Sequence, residues 1–446
     1  MSLSRKLLPI AGTVGLIVLS ACGTSTNTSS SSGGSGIAGC RGTVTVATDL
    51  PLTGGDRTDG PFPGYGAQLA VEQANSNKLL GGCTLKYTSM DDSSTLLGKH
   101  DPAKGVQNIT ALANDSSVMG VVGPFNSSVA QAEIPIASQN HLALISPSNT
   151  QPGLTQVGSN PLIDTAALYK GPHTYFRVIA TDKVQAKILA YVATSELHKM
   201  KGYVFDDQET YGAGIATLFK QFYAADGGTV VGTASLPGST TDFKTQMNDA
   251  KSKGADIVMF GGLTSTGAGF ARRDMVAAGL DAPFIGGDGL EDTDFIKDAN
   301  AGAAPSAANG SEATSAPDVT KLSSAAKFYS DYAARFSSLA APYNDGTKEP
   351  YTAYGYDAMQ ILLQAIKTAI VNNNGALPSD TNGFRDAVVA QLHQASYNGA
   401  TGHVAFDQNG DLPPPSSFTL YSANNGAWSA KETLVEDQSG NITVKS

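Results

Sequence analysis

Short apolar or alternating runs, each stopped by Gly, Pro, Ser, Asn or Asp, take turns along this chain with longer stretches of helical period. Gly42–Leu50 (GTVTVATDL) alternates as a first strand and ends in Pro51-Leu52-Thr53-Gly54-Gly55. Residues 64–77 read as a helix and residues 84–89 as a second strand, closed by Met90-Asp91-Asp92-Ser93. Asp101-Pro102 opens the next helix, with the acid as N-cap and proline at the first helical position. Val118–Val122 is a buried strand stopping at Gly123-Pro124, a helix carries the chain to Asn140, and residues 142–145 form a strand ending in Ser146-Pro147-Ser148-Asn149-Thr150. Residues 151–172 read as an irregular surface loop, 175–179 as a strand, and 183–198 as a helix capped by Asp182.

The second half repeats the pattern. Strands are predicted at 202–205, 229–234, 255–260 and 283–285, with helices at 211–225, from Asp242, and at 267–278. Residues 299–319, rich in Ala, Ser, Gly and Pro, read as a crossover loop. Helices follow at about 321–336, 352–370 and 381–393, then short strands at 401–407 and 418–422. Strict strand–helix alternation predicts an α/β protein with doubly wound parallel sheets, and 446 residues are too many for one ordinary core, so two lobes are expected.

In open parallel sheets, ligands sit at the C-terminal ends of the strands, and a helix N-terminus there favours an anion. Ser127, Ser148, Thr150, Tyr211 and Asp288 each fall just past a predicted strand. Three offer hydroxyls and N–H groups to a carboxylate, one an aromatic hydroxyl, and one a carboxylate able to hold an ammonium. The competing reading is that Ser127 and Thr150 cap helices and Asp288 fills a turn.

Composition narrows the field. A net charge of −10 without a basic patch argues against nucleic acid. Arg5 and Lys6, followed by the apolar run Leu7–Leu19, read as a signal peptide over residues 1–21, too short to span a membrane comfortably. Leu19-Ser20-Ala21-Cys22 resembles the bacterial lipobox, whose cysteine is lipidated; the alternative is an ordinary signal peptide with an incidental cysteine. Residues 22–39 then form a flexible tether. Cys40 and Cys83 remain as an even pair in an exported chain, each just ahead of a strand; they form a disulfide or stay as two free thiols.

Catalytic signatures are missing: no G-x-S-x-G, H-E-x-x-H or G-x-x-x-x-G-K-[ST] occurs. The six histidines show no ligand spacing, so neither metal nor cofactor is expected. Asp91-Asp92 and Asp206-Asp207 sit at strand ends, where turn and capping roles prevail. The sequon Asn108-Ile109-Thr110 has no meaning behind a bacterial lipobox. No enzyme is expected.

DLPLTG, MDD…DP, VVGPFNSS, ISPSNTQPGLT, YFRV, DDQETYG, MFGG and GGDG, in that order from about Cys40 to Trp428, resemble the branched-chain amino-acid binding proteins of ABC importers, with the type I periplasmic-binding-protein fold. The resemblance implies two lobes joined by a three-crossing hinge: 40–177 with 318–400, and 178–317 with 401–446. It implies that Ser127, Ser148 and Thr150 bind an α-carboxylate, Asp288 the α-ammonium in place of the family's usual glutamate, and that Tyr211 closes over the ligand. Two positions depart from the leucine binders. Leu263 stands where a tyrosine is common, and Asp59 falls near a usually aromatic position that Phe62 or Tyr65 could fill after a shift. An aspartate there suits a polar or cationic side chain. The expectation is a monomeric lipoprotein on the extracytoplasmic face of the cell membrane, delivering an amino acid to a permease driven by a separate ATPase. The alternatives are a same-fold binder of an amide, urea-like or aromatic-acid ligand, and a sensor subunit without transport. Ser446 is reached without a stop-transfer helix, which speaks against a one-chain receptor.

Overall fold

Successive side chains of a strand point to opposite faces, and a sheet buried on both sides needs apolar residues at both parities. The computed structural model describes residue 37, residues 39–302 and residues 306–445. The expected leader 1–21, Cys22 and all of the expected 22–39 linker except Ile37 and Gly39 lie outside the described residues.

β1 (Thr43–Leu50) leads through α1 (Pro61–Ser76) to β2 (Thr84–Asp91). A small ladder of β3 (Ser93–Ser94) and β4 (Lys99–His100) precedes α2 (Pro102–Asn114). Then come β5 (Val118–Val122), α3 (Ser127–Gln139), β6 (Leu144–Ser146), the short α4 (Thr165–Leu168) and β7 (Tyr175–Arg177). These strands form an all-parallel sheet in the order β2-β1-β5-β6-β7.

The chain then builds a second sheet through α5 (Asp182–Tyr191), β8 (Lys201–Asp206), α6 (Thr210–Ala225), β9 (Thr229–Ser235) and α7 (Lys244–Ser252). It continues with β10 (Ile257–Gly261), α8 (Ala268–Ala277), β11 (Phe284–Gly286), α9 (Thr293–Asn300) and β12 (Ser311–Ser315). Helices α10 (Ala326–Phe336), α11 (Tyr351–Asn372) and α12 (Thr381–Leu392) return to the first sheet, where α11 lies against α1, β5 and β6. After the hairpin of β13 (Ser396–Gly399) and β14 (Gly402–Ala405), the strands β15 (Ser416–Asn424), β16 (Ala427–Glu436) and β17 (Ile442–Lys445) add to the second sheet. Its order is β17-β16-β15-β12-β11-β10-β8-β9.

Alternation explains the four cores. Val44 and Val46 of β1 pack with Ala70 of α1 and Leu362 of α11, whereas Ala47, Val121 and Leu144 pack with Ile109 of α2 and Ile134 of α3. In the second lobe, Phe205, Phe260 and Phe284 face Met275 of α8 and Phe295 of α9, while Val204, Met259 and Ile285 face Leu189 of α5 and Ile215 of α6.

The two-lobed α/β fold is the expected one, with local corrections. Residues 299–319 are not all crossover loop: Ser311–Ser315 is a central strand, every residue buried, parallel to β11 and antiparallel to β15. Its sequence SEATS carries no apolar alternation, so only backbone pairing reveals it. The second sheet is mixed rather than parallel, because β15, β16 and β17 run antiparallel. Around residue 401 the chain still belongs with the first lobe: Asp357 of α11 accepts from Ala400 N (2.9 Å), Thr401 N (2.7 Å) and Thr401 Oγ1 (2.6 Å). It joins the second sheet only at Ser416.

Cys40 and Cys83 form a disulfide. The parallel register that sets Thr43 beside Thr84 brings the two preceding cysteines together. No helix among the described residues is long and apolar enough to cross a membrane.

Candidate ligand-binding site

The C-terminal ends of β5 and β6 are tied into one cradle. Ser146 Oγ donates to Pro124 O (2.7 Å) and accepts from Asn149 N (2.9 Å); Ser148 Oγ donates to Phe125 O (2.9 Å). Gly123 has φ +139°, and a Cβ there would stand 2.2 Å from Asp49 O, so only glycine lets the turn pass β1 this closely. The turn delivers Ser127 to the start of α3. No side chain caps that helix, so its first N–H groups face the cleft without an intrahelical acceptor. Beneath the cradle, the fully buried Arg177 donates from Nη1 to Asn149 O and Gln151 O (3.0 Å each) and from Nε to Asp411 Oδ1 (2.6 Å).

The second lobe supplies the opposite wall. Tyr211 stands in the first turn of α6, Leu263 follows β10, and Asp288 follows β11. The Gly287-Asp288-Gly289 loop is thin by necessity: a Cβ on Gly287 would meet Tyr211 Oη at 2.1 Å, and one on Gly289 would meet Leu263 Cδ2 at 2.4 Å. Tyr351, at the start of α11, donates from Oη to Asp288 Oδ2 at 2.5 Å across the cleft. Oriented to satisfy both faces of its amide, Gln185 donates to Asp182 Oδ1 (3.1 Å) and Asp288 Oδ1 (3.3 Å) behind the site. Burial, and then the Asp288 charge, push the Asp182 carboxyl well above the usual range; burial also raises Asp288, against the hydrogen bonds it accepts.

Ser127, Ser148, Thr150, Tyr211, Leu263, Asp288 and Asp59 all line one cleft of about 640 Å³, counting its solvent-filled mouth. Neither alternative to Asp59 does: Phe62 is buried against Tyr343, and Tyr65 packs on Phe336 outside the cleft. Phe125 and Tyr351, in edge-to-face contact, also line it, as do the carboxylates of Asp56, Glu209, Glu291, Asp292 and Glu349. Phe125 lies inside the quoted VVGPFNSS stretch and could have been found there. The acids come from separate loops, with Glu291 and Asp292 side by side in one of them, and only the approach of the lobes groups them.

The sequence profile of the periplasmic binding protein family matches residues 43–427. The chain belongs to that family. It is similar to the Leu/Ile/Val-binding protein homolog 3 of Brucella melitensis, 27% identical over 386 residues, which are 86% of this chain and 92% of the relative. In structure it is similar to the leucine-binding protein LivK of Thermotoga maritima, with a TM-score of 0.71 at 23% identity, covering 87% of this chain and 98% of that one. The branched-chain amino-acid substrate-binding protein LivJ of Streptococcus pneumoniae, solved with isoleucine, gives 0.69 at 23% identity, covering 90% and 100%. As a periplasmic binding protein, the chain is a binder rather than an enzyme.

In this periplasmic binding protein, two of the cleft's acids are compensated within the protein. His100 of β4 is buried between Asp56 Oδ2 (2.9 Å from Nδ1) and Glu209 Oε2 (2.7 Å from Nε2), and Lys99 also pairs with Glu209. Burial alone would lower the His100 pKa, but the Asp56 charge and the bonds to both acids hold it up at about 10. Burial would raise Asp56 and Glu209, yet His100 holds both down at about 2. Glu209 immediately precedes α6 while Lys99 and His100 belong to the first lobe, so this network bridges the cleft. The remaining acids behave oppositely. Burial and mutual repulsion raise Asp59 and Glu349 well above the usual range and Glu291 to about 8.

Proposed function

We propose that this chain is the extracytoplasmic solute-binding component of an ABC importer and holds an amino acid between its lobes. The observation that carries the proposal is the pairing, across one cleft, of a hydroxyl and N–H cradle with a carboxylate already joined to the other lobe by Tyr351. Ser127, Thr150 and the α3 N-terminus take the α-carboxylate. Asp288 takes the α-ammonium, with Tyr211 over it. Ser148 serves differently from Ser127, since its hydrogen is given to Phe125 O: it fixes the turn instead of donating to the ligand.

The contacts that bridge the lobes favour a closed form, and a ligand gripping both walls would shift the population further in that direction. Lipidation at Cys22, a tether over 22–39 and delivery to a permease complete the reading. The similarity to Leu/Ile/Val-binding proteins over most of the chain supports it. Calorimetry of the ligand-stripped full-length protein against the twenty amino acids tests it. Tight binding of an L-amino acid, weakened at least tenfold in Asp288→Asn and in Ser127→Ala, is expected. Binding only of ligands lacking an α-amino group would refute the assignment of Asp288.

A further inference from the structure

Resting on that amino-acid reading, the acids left over in the cleft narrow the ligand further. Seven carboxylates line it, and no lysine, arginine or histidine does. Asp56 and Glu209 are paired with His100 and Lys99, Asp288 is taken up with the α-ammonium, and Asp292 accepts from Asp294 N (2.8 Å) and Thr58 Oγ1 (3.0 Å). Asp59, Glu291 and Glu349 remain. Among the described residues none donates a hydrogen bond to the Asp59 carboxylate, Glu291 has only the Ser315 hydroxyl beside it and its Oε2 is buried without a partner, and Glu349 accepts only from Tyr351 N, at a long 3.3 Å. Glu349, only 5% exposed, repels Glu291 most strongly among the neighbouring charges, and both repel Asp59.

A further polar group faces the same space. Asn126 is 6% exposed and lines the cleft, and among the described residues its Oδ1 has no hydrogen-bond partner. An aliphatic ligand side chain would leave all of these groups dry and unpaired, which is expensive for a carbonyl and far more so for carboxylates. A ligand cation with several N–H donors removes the penalty and converts the repulsion into attraction.

We propose that the ligand is an α-amino acid whose side chain carries a second positive charge, an ammonium or guanidinium held by Asp59, Glu291 and Glu349. Asp59 and Glu349 come from the first lobe and Glu291 from the second, so the side-chain cation fastens the two lobes just as the α-ammonium does at Asp288. Leu263 then packs on the aliphatic stem.

The test is calorimetry of the ligand-stripped full-length protein with L-lysine, L-arginine, L-norleucine, L-leucine and 1,5-diaminopentane. Lysine or arginine should bind at least a hundredfold more tightly than norleucine. Glu349→Gln and Glu291→Gln, checked for native circular dichroism, should each cut that preference at least tenfold. Titrations in two buffers of different ionisation enthalpy should show protons released on binding the basic amino acid, as the crowded carboxyls ionise against it. Tight binding of leucine or norleucine with weak binding of lysine and arginine overturns this inference and leaves the amino-acid reading standing. Binding of the diamine alone, or of no amino acid at all, overturns both.

Discussion

Tyr351 Oη donates to Asp288 Oδ2 at 2.5 Å, joining the first helical turn of α11 in one lobe to the thin glycine loop of the other. A hydrogen bond to a charged group contributes about 1.5–3 kcal/mol. Tyr351→Phe therefore should weaken ligand binding roughly tenfold to a hundredfold. Calorimetry on the variant checks this; an unchanged affinity would mean that the bond plays no part in the liganded state.

The His100 bridge sets a pH window for the closed form. His100 is raised to about 10, so its stabilisation is complete below its unfolded value near 6.5 and is lost as pH climbs through about 10. Asp56 and Glu209 are lowered to about 2, so theirs is present above about 4.5 and lost as pH falls through about 2. Breaking a buried charge pair on one side costs about 3–5 kcal/mol. Melting curves of wild type and His100→Gln should differ most near pH 5–6.5 and converge toward pH 10. A difference that stays flat across this range would refute the bridge.

Arg177 supports the turns after β5 and β6 from below, bonded to Asn149 O, Gln151 O and the buried Asp411. Arg177→Ala should cost about 3–5 kcal/mol in urea denaturation, because Asp411 is left as an unpaired buried charge. The double variant Arg177→Met/Asp411→Leu should recover much of that loss. If the single change costs under about 1 kcal/mol, the pair does not hold the cradle.

Asp49, Asp92 and Glu133 meet fully buried under β1, where Asn108 Nδ2 donates to Asp49 Oδ1 (2.8 Å), Glu133 lies against Asp49, and the Asp92 carboxylate has no hydrogen-bond partner among the described residues. Asp91, Lys104, Asp56 and His100 are the other charged groups acting on them. Burial lifts Asp49 to about 7 and raises Glu133 and Asp92 well above the ordinary range, with the neighbouring carboxylates adding to it. The folded state holds protons that the unfolded chain gives up above about pH 4.5, so stability falls as pH rises past that point. Glu133→Gln should raise the melting temperature, with a gain larger at pH 8 than at pH 4.5. A gain that shrinks with rising pH would contradict the protonated cluster.

The disulfide between Cys40 and Cys83 closes a loop with a sequence separation of 43. Chain-entropy arguments put its contribution at about 4 kcal/mol. Cys40→Ser/Cys83→Ser, or a reductant strong enough to open the bridge, should lower the melting temperature measurably. Equal melting with and without the bridge would show that the reduced chain is already constrained there.

Both sheets were legible wherever apolar periodicity carried them: β1, β5, β8 and β10 are alternating or wholly buried runs with clear stops. β12 was hidden because Ser-Glu-Ala-Thr-Ser earns its place through backbone pairing, and β16 because it is largely exposed. At the cleft, residues one step past a strand could be named in advance, since topology fixes where strand ends meet. Asp59 belonged to this group only through resemblance. Glu291, Asp292 and Glu349 could not be found, because acids in a loop or at a helix N-cap look like any turn or capping residue until another lobe closes on them. Ser148 was placed correctly in space, but its hydrogen goes to Phe125 O, a detail set by the local turn.

The order of strands in the second sheet bears on how the protein is made. β12 pairs on one side with β11, which is synthesised just before it, and on the other with β15, Ser311 opposite Ala423 and Ser315 opposite Thr419. Until translation has passed Asn424, one edge of that polar strand has no neighbour, and a bare edge is a template for another chain. A product truncated before β15 would keep that edge permanently. Making the second lobe safe therefore waits on β15, a strand that follows β12 by about a hundred residues of chain.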